Sequence, residues 1–123
     1  MKITPNYPPN LRAISIGGAY GYLICTGQKE CEARVWPTKF RGSVLIHVPT
    51  STAWDFSFTE EDVDPQRCPK TAIIGYAEVV DCQPEIYEGE QIYLHYMENG
   101  LLLPSPVKCQ AHSKMTTTYW SGG

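Results

Sequence analysis

Three things are scarce in this sequence: metal-type cysteine spacing, long apolar runs and positive charge. The five cysteines, at 25, 31, 68, 82 and 109, are odd in number and no two are spaced as C-x-x-C. A zinc knuckle or a secreted disulfide framework is therefore disfavoured, and reduced thiols in a cytoplasmic protein are the expectation. Aliphatic runs as short as Leu101–Leu103 cannot span a bilayer, so no membrane association is expected. The stretch Met1–Asn10 is rich in proline and asparagine and has no apolar core of the kind a signal peptide carries. Ten Lys and Arg against 13 Asp and Glu give a net charge of −3, which excludes a uniformly basic coat for nucleic acid. Any polyanion must be caught by a local patch. His95 and His112 have no partners at ligand spacing, so neither a metal nor a cofactor is expected. No internal repeat or low-complexity segment occurs.

What is present suits one globular domain. The chain has 123 residues, 42% of them hydrophobic and 19% charged, enough for a single core. Residues 1–11 read as an extended arm, 12–112 as the domain, and 113–123 as a tail that is loosely held apart from Tyr119-Trp120. Short strands are expected at Ala13–Ile16, Glu32–Trp36, Ser43–Val48, Thr71–Val80, Ile92–Met97, Leu101–Leu103 and Pro106–Gln110. The mixed spacing of Gly18–Thr26 predicts one early helix, stopped by Gly27. Thr59 followed by Asp62 predicts a second short helical turn, with Asp64-Pro65 and Cys68-Pro69 in loop. Gly75 suggests a bend in its strand. The strands lie too close together for βαβ units. The expected class is thus α+β: a small mixed β-barrel, whose closure removes edge strands, with one early helix and a second helical turn.

Charge is unevenly placed. Residues 28–42 hold Lys29, Arg34, Lys39 and Arg41 against Glu30 and Glu32, and Trp36 and Phe40 lie among them. Cations interleaved with flat aromatics suit phosphate attraction and base stacking; a solvated hairpin with Trp and Phe in the core would give the same composition. On an extended strand Glu32, Arg34 and Trp36 share a face. Lys29, at the helix-to-strand turn, can reach the same mouth. A carboxylate beside Arg and Lys is expected to keep its charge and to accept hydrogen bonds from a base edge. An ion-pair network bracing helix against barrel is the other reading of this trio.

The order of these residues carries a resemblance. Gly27-Gln28-Lys29-Glu30-Cys31-Glu32-Ala33-Arg34 reads G-x-K-x-x-E-x-R and runs on through Trp36-Pro37-Thr38-Lys39-Phe40-Arg41-Gly42 to Leu45-Ile46-His47. Together with Thr71–Val80 and Pro106-Val107-Lys108, it resembles the ASCH domain family, relatives of the PUA-like RNA-binding barrels, over roughly residues 12–110. The resemblance implies a PUA-like barrel with a cleft beside the early helix, and places Lys29, Glu32 and Arg34 there. The Gln-Pro-Trp common at the family's helix start is replaced by Gly18-Ala19-Tyr20, so Tyr20 becomes the expected stacking surface.

Function is then expected to be recognition of single-stranded RNA or a nucleotide or nucleoside. Lys29, Arg34, Lys39 and Arg41 would meet phosphates, Tyr20 and Trp36 would stack, Glu32 would read a base edge, and His47 is assigned to the cleft through its Ile46-His47 pair. Ser15 and Thr38 could donate to phosphate but are ordinary at strand ends and turns. The acidic run Glu60–Asp64 would repel nucleic acid from its side. The alternative implied by the resemblance is a small amidohydrolase of acylated cytidine, or a ribonuclease, using Lys29 and Glu78, with Glu32 where that branch has Thr. A protein-interaction module is the third possibility.

Overall fold

The computed structural model describes residues 12–109. The arm and the tail expected at either end, with His112 and Tyr119-Trp120, lie outside the described residues, as does Gln110 at the end of the last expected strand.

The chain runs β1 (Arg12–Ser15), α1 (Tyr20–Cys25), β2 (Cys31–Arg34), β3 (Gly42–Val48), α2 (Ser57–Glu60), a 3-10 turn at Pro65–Arg67, β4 (Ala72–Tyr87) and β5 (Glu90–Lys108). The strands form one five-stranded sheet in the order β1-β3-β4-β5-β2. β1 pairs parallel with β3, with Ser15 opposite His47; every other pairing is antiparallel. Val44, Ile46 and Val48 alternate onto one face of β3 and are fully buried with Ile14, Ile16, Ile74, Ala77 and Val79. Leu23, Ile24 and Cys25 of α1 close over that core.

Two expectations about local structure hold for identifiable reasons. α1 stops where Gly27, at φ +78°, takes the left-handed conformation that glycine adopts without steric cost. The N–H of Gly27 donates to Ile24 O at 3.1 Å and that of Gln28 to Leu23 O at 2.9 Å, a Schellman closure that satisfies the last carbonyls. Gly75 sits at a register shift in β4, where a Cβ would meet the Cys25 sulfur at 2.7 Å.

Four expectations need correction. The last three expected strands are one 19-residue strand, and β4 runs on to Tyr87, so β4 and β5 form a long hairpin. Its turn residues Glu88 and Gly89 both have positive φ, the type I′ geometry that matches strand twist. The second helix runs Ser57–Glu60, so Thr59 lies inside it rather than capping it, and the Ser57 hydroxyl ties it to α1 by accepting from the Ala19 N–H at 2.8 Å while donating to Trp54 O at 2.6 Å. Asp64, expected in loop, caps the 3-10 turn by accepting from the Gln66 N–H at 2.9 Å.

The fourth correction shapes the site. The sheet is not closed into a barrel by backbone pairing: β1 and β2 are its two edges, and among the described residues no ladder joins them. Both are only four residues long. A side chain spans the gap instead, for Arg34 Nη2 on β2 donates to the Ser15 carbonyl oxygen on β1 at 2.8 Å. The curled sheet therefore keeps a seam.

Candidate functional site

A cleft of about 410 Å³ opens at that seam, lined by Ser15, Gly17, Tyr20, Lys29, Glu32, Ala33, Arg34, Pro49, Ser51 and Trp54. Each wall follows from local structure. Ser15 ends β1, and Gly17 begins the turn into α1 that presents Tyr20. The Schellman turn folds Lys29 back so that its N–H also reaches Leu23 O at 3.1 Å, and its ammonium lies 5.5 Å from the Tyr20 ring centroid, within cation–π range. Glu32 and Arg34 alternate onto the cleft face of β2.

Trp54 closes the far side. A Cβ on Gly17 would lie 2.7 Å from Trp54 Cδ1, so the missing side chain is what lets the indole pack against the β1–α1 turn. The Tyr20 and Trp54 rings meet edge to face, centroids 6.1 Å apart and planes at 66°. Trp54 keeps half its surface exposed.

Electrostatically the cleft is two-sided. Glu32 and Arg34 form an ion pair of 3.0 Å with side chains 13% and 22% exposed. Burial pushes the Glu32 carboxyl above its usual range, against the opposing pulls of Arg34 and Lys29. Desolvation is thus the larger influence on this carboxyl, and the two cations act against it. On the opposite wall the Tyr20 phenol is pushed up by burial first, then by Glu60, Glu61 and Glu32. Positive charge thus lies along the β2 wall and negative charge beyond the α2 wall. Beside Glu32, His95 is its register partner on β5 and is fully buried. Burial lowers the His95 value and keeps the ring neutral, with Nε2–H donating to Trp36 O at 2.9 Å.

Of the residues singled out from sequence, the structure brings Tyr20, Lys29, Glu32 and Arg34 together in one cleft, with Ser15 beside them. It does not bring in Trp36, Lys39, Arg41, His47 or Glu78. The chain bends at Val35-Trp36 directly after β2, which takes the indole off the face that Glu32 and Arg34 share. Lys39 is exposed, and Arg41 turns to Asp81 at 3.8 Å and to the carbonyls of Thr38 and Phe40. Thr38 is buried and its hydroxyl accepts from the Phe40 N–H at 3.1 Å. His47 is buried under the cleft wall, between Ser15 and the carbonyl of Cys109. Glu78 sits opposite Ser43 on β4 and accepts from Asn99 Nδ2 at 3.0 Å, outside the lining of the cleft.

Sequence reasoning missed Trp54. The signal was weak: an indole in Ser51-Thr52-Ala53-Trp54-Asp55-Phe56 lies among mostly polar residues that favour exposure, but nothing in its spacing ties it to Tyr20. Among the described residues, no group of three or more His, Cys, Asp or Glu could hold a metal ion, and no helix is long and apolar enough to cross a membrane.

No curated protein matches this chain. The sequence profile of the ASCH domain does, over residues 14–113. That span starts inside β1, runs past the end of β5 and takes in every residue that lines the cleft. The chain belongs to the ASCH domain family.

Proposed function

We propose that the cleft recognises a nucleotide, free or as one residue of a single-stranded RNA. The observation that carries this reading is the convergence of an aromatic pair, Tyr20 and Trp54, with the Glu32–Arg34 pair and Lys29 in one cavity of about 410 Å³. That volume lies within the roughly 300–1,000 Å³ of small-molecule sites. A base packs against the aromatic wall, contributing about 1–3 kcal/mol. Glu32 and Arg34 present an acceptor and donors to its edge. The phosphate leaves toward Lys29 and Arg34, because Glu60 and Glu61 repel it from the α2 wall. Lys39 and Arg41 take no part at the base in this reading; Lys39 adds only to the field along an outgoing strand.

The alternative amidohydrolase or ribonuclease built on Lys29 and Glu78 has less support, since Glu78 engages Asn99 outside the cleft. The test is a fluorescence titration of labelled single-stranded RNA and of mononucleotides at low salt. Saturable binding that weakens with salt, with a salt slope smaller by about 0.7 in Lys29→Ala, is the expected result. Absence of binding at low salt ends this reading.

A further inference from the structure

We propose that Ser15 and His47 form a nucleophile–base pair in the wall of the cleft, able to hydrolyse a carboxylic acyl ester held there. The inference rests on the cleft being a ligand site, though not on that ligand being a nucleic acid.

Hydrogen-bond chemistry fixes the direction of the pair. His47 Nε2 lies 2.6 Å from the Cys109 carbonyl oxygen. A carbonyl only accepts, so Nε2 carries the proton. With Nε2 as the protonated nitrogen, a neutral imidazole has its lone pair at Nδ1, which lies 2.9 Å from Ser15 Oγ. The serine hydroxyl must therefore donate to Nδ1. The result is a hydroxyl aimed at an imidazole lone pair, and an imidazole held in one tautomer by a third group.

The setting separates this pair from an ordinary satisfied histidine. Ser15 and His47 are directly opposed on parallel strands, so their side chains share a face. His47 is 1% exposed and shielded from solvent, whereas Ser15 is half-buried and lines the cleft. The base is thus dry and its nucleophile accessible. Arg34 Nη2 donates to the backbone carbonyl of this same Ser15 at 2.8 Å, and Arg34 and Lys29 both line the cavity that Ser15 lines. Positive charge is in place for an oxyanion. A backbone carbonyl offers an imidazolium less compensation than the carboxylate of a Ser-His-Asp triad, so activated esters are the expected substrates rather than amides.

The steps balance. Ser15 Oγ adds to the acyl carbon, its proton passes to His47 Nδ1, and the carbonyl electron pair moves to oxygen. As the carbonyl reforms, the leaving alkoxide departs with the proton from Nδ1. Water then adds to the acyl-serine and gives a proton to Nδ1. That proton returns to Ser15 Oγ as the carbon–Oγ bond breaks. Ester and water become acid and alcohol.

The experiment is labelling with a tagged fluorophosphonate, whose fluoride is displaced by an activated serine oxygen, followed by intact mass and peptide mapping. One adduct at Ser15 is expected in the native chain, absent from Ser15→Ala and from the chain in urea, and about 10²-fold slower in His47→Gln. Should His47→Gln fail to fold, adduct formation at Ser15 that disappears in urea still supports the pair. No adduct, an adduct elsewhere, or a rate that folded His47→Gln leaves unchanged overturns it. RNA and nucleotide binding is measured alongside. Binding without labelling removes the hydrolytic pair and leaves recognition standing, while labelling without binding does the reverse.

Discussion

Replacing Arg34 by methionine removes the guanidinium and keeps an unbranched apolar stem, and the structure sets what that costs. Its hydrogen bond to Ser15 and its ion pair with Glu32 go. The charged hydrogen bond to the Ser15 carbonyl, 2.8 Å long, is of a kind that contributes about 1.5–3 kcal/mol. The second loss strands Glu32; removing one partner of a fully buried pair costs about 3–5 kcal/mol. Side chains 13% and 22% exposed leave some access for water, and Lys29 is close enough to pull on the Glu32 carboxyl, so that cost is discounted. The sum expected near pH 7 is about 2–4 kcal/mol. With a urea slope of about 2 kcal/mol per molar, the midpoint falls by about 1–2 M.

The pH dependence has a definite sign. Burial outweighs the pulls of Arg34 and Lys29, so the folded chain holds the Glu32 proton more tightly than the unfolded chain does. A carboxyl with a raised folded value contributes fully to stability when protonated, and that contribution is lost as pH rises through the folded value. Arg34→Met raises the value further, so its deficit is smaller near pH 5 than near pH 7. Adding Glu32→Gln should recover about 1 kcal/mol or more of the loss. Urea melts of the four proteins at both pH values check this. A deficit under about 0.5 kcal/mol, or one that is independent of pH and additive with Glu32→Gln, refutes the claim that Arg34 holds both the seam and the carboxyl.

Three further outcomes follow from particular contacts. Trp54→Ala should weaken nucleotide binding by about 1–3 kcal/mol with little change in melting temperature, whereas Trp36→Ala should leave binding unchanged; the reverse pattern in a titration contradicts the site. Gly100→Ala should destabilise by about 1–3 kcal/mol, because its Cβ would press on the backbone at the end of α1, 2.8 Å from Cys25 O; an unchanged thermal melt contradicts that packing. Burial pushes the Cys25 and Cys68 thiols up to about 12 and about 11. Iodoacetamide should therefore spare both in the native chain and modify them in urea, and mass mapping that finds either alkylated in the native state contradicts their burial.

How far the sequence spoke depended on whether a signal was local. Gly27 marks the end of α1 because a left-handed residue after a helix is a local demand, and the β-branched run Val44–Val48 marks a core strand for the same kind of reason. The β4–β5 hairpin was not legible as one unit. Proline is rare within strands, yet Pro84, Pro104 and Pro106 all lie inside β4 or β5, and register shifts after Ile73, Tyr76 and Val79 interrupt the two-residue period. Pro84 is tolerated because it lies past Val79, the last β4 residue that β3 pairs, so no strand needs its N–H. At the site, Lys29, Glu32 and Arg34 were legible because the turn and the strand alternation place them within a few residues of one another. Trp54, and the opposition of Ser15 to His47, depend on contacts between residues more than 30 apart in sequence, which spacing alone does not encode. Trp36 was misplaced because strand alternation was carried past Arg34, where the chain bends.

The central claim is that the seam between β1 and β2 receives a ligand with its base on the aromatic wall and its phosphate toward the cations. Amide chemical-shift mapping during titration with a mononucleotide and a short single-stranded RNA at low salt tests it most directly. The account predicts perturbations confined to residues 15–20, 29–34 and 49–54, reversed by added salt. Shifts gathered on the β4–β5 hairpin or spread over the sheet, with these three segments silent, would contradict it.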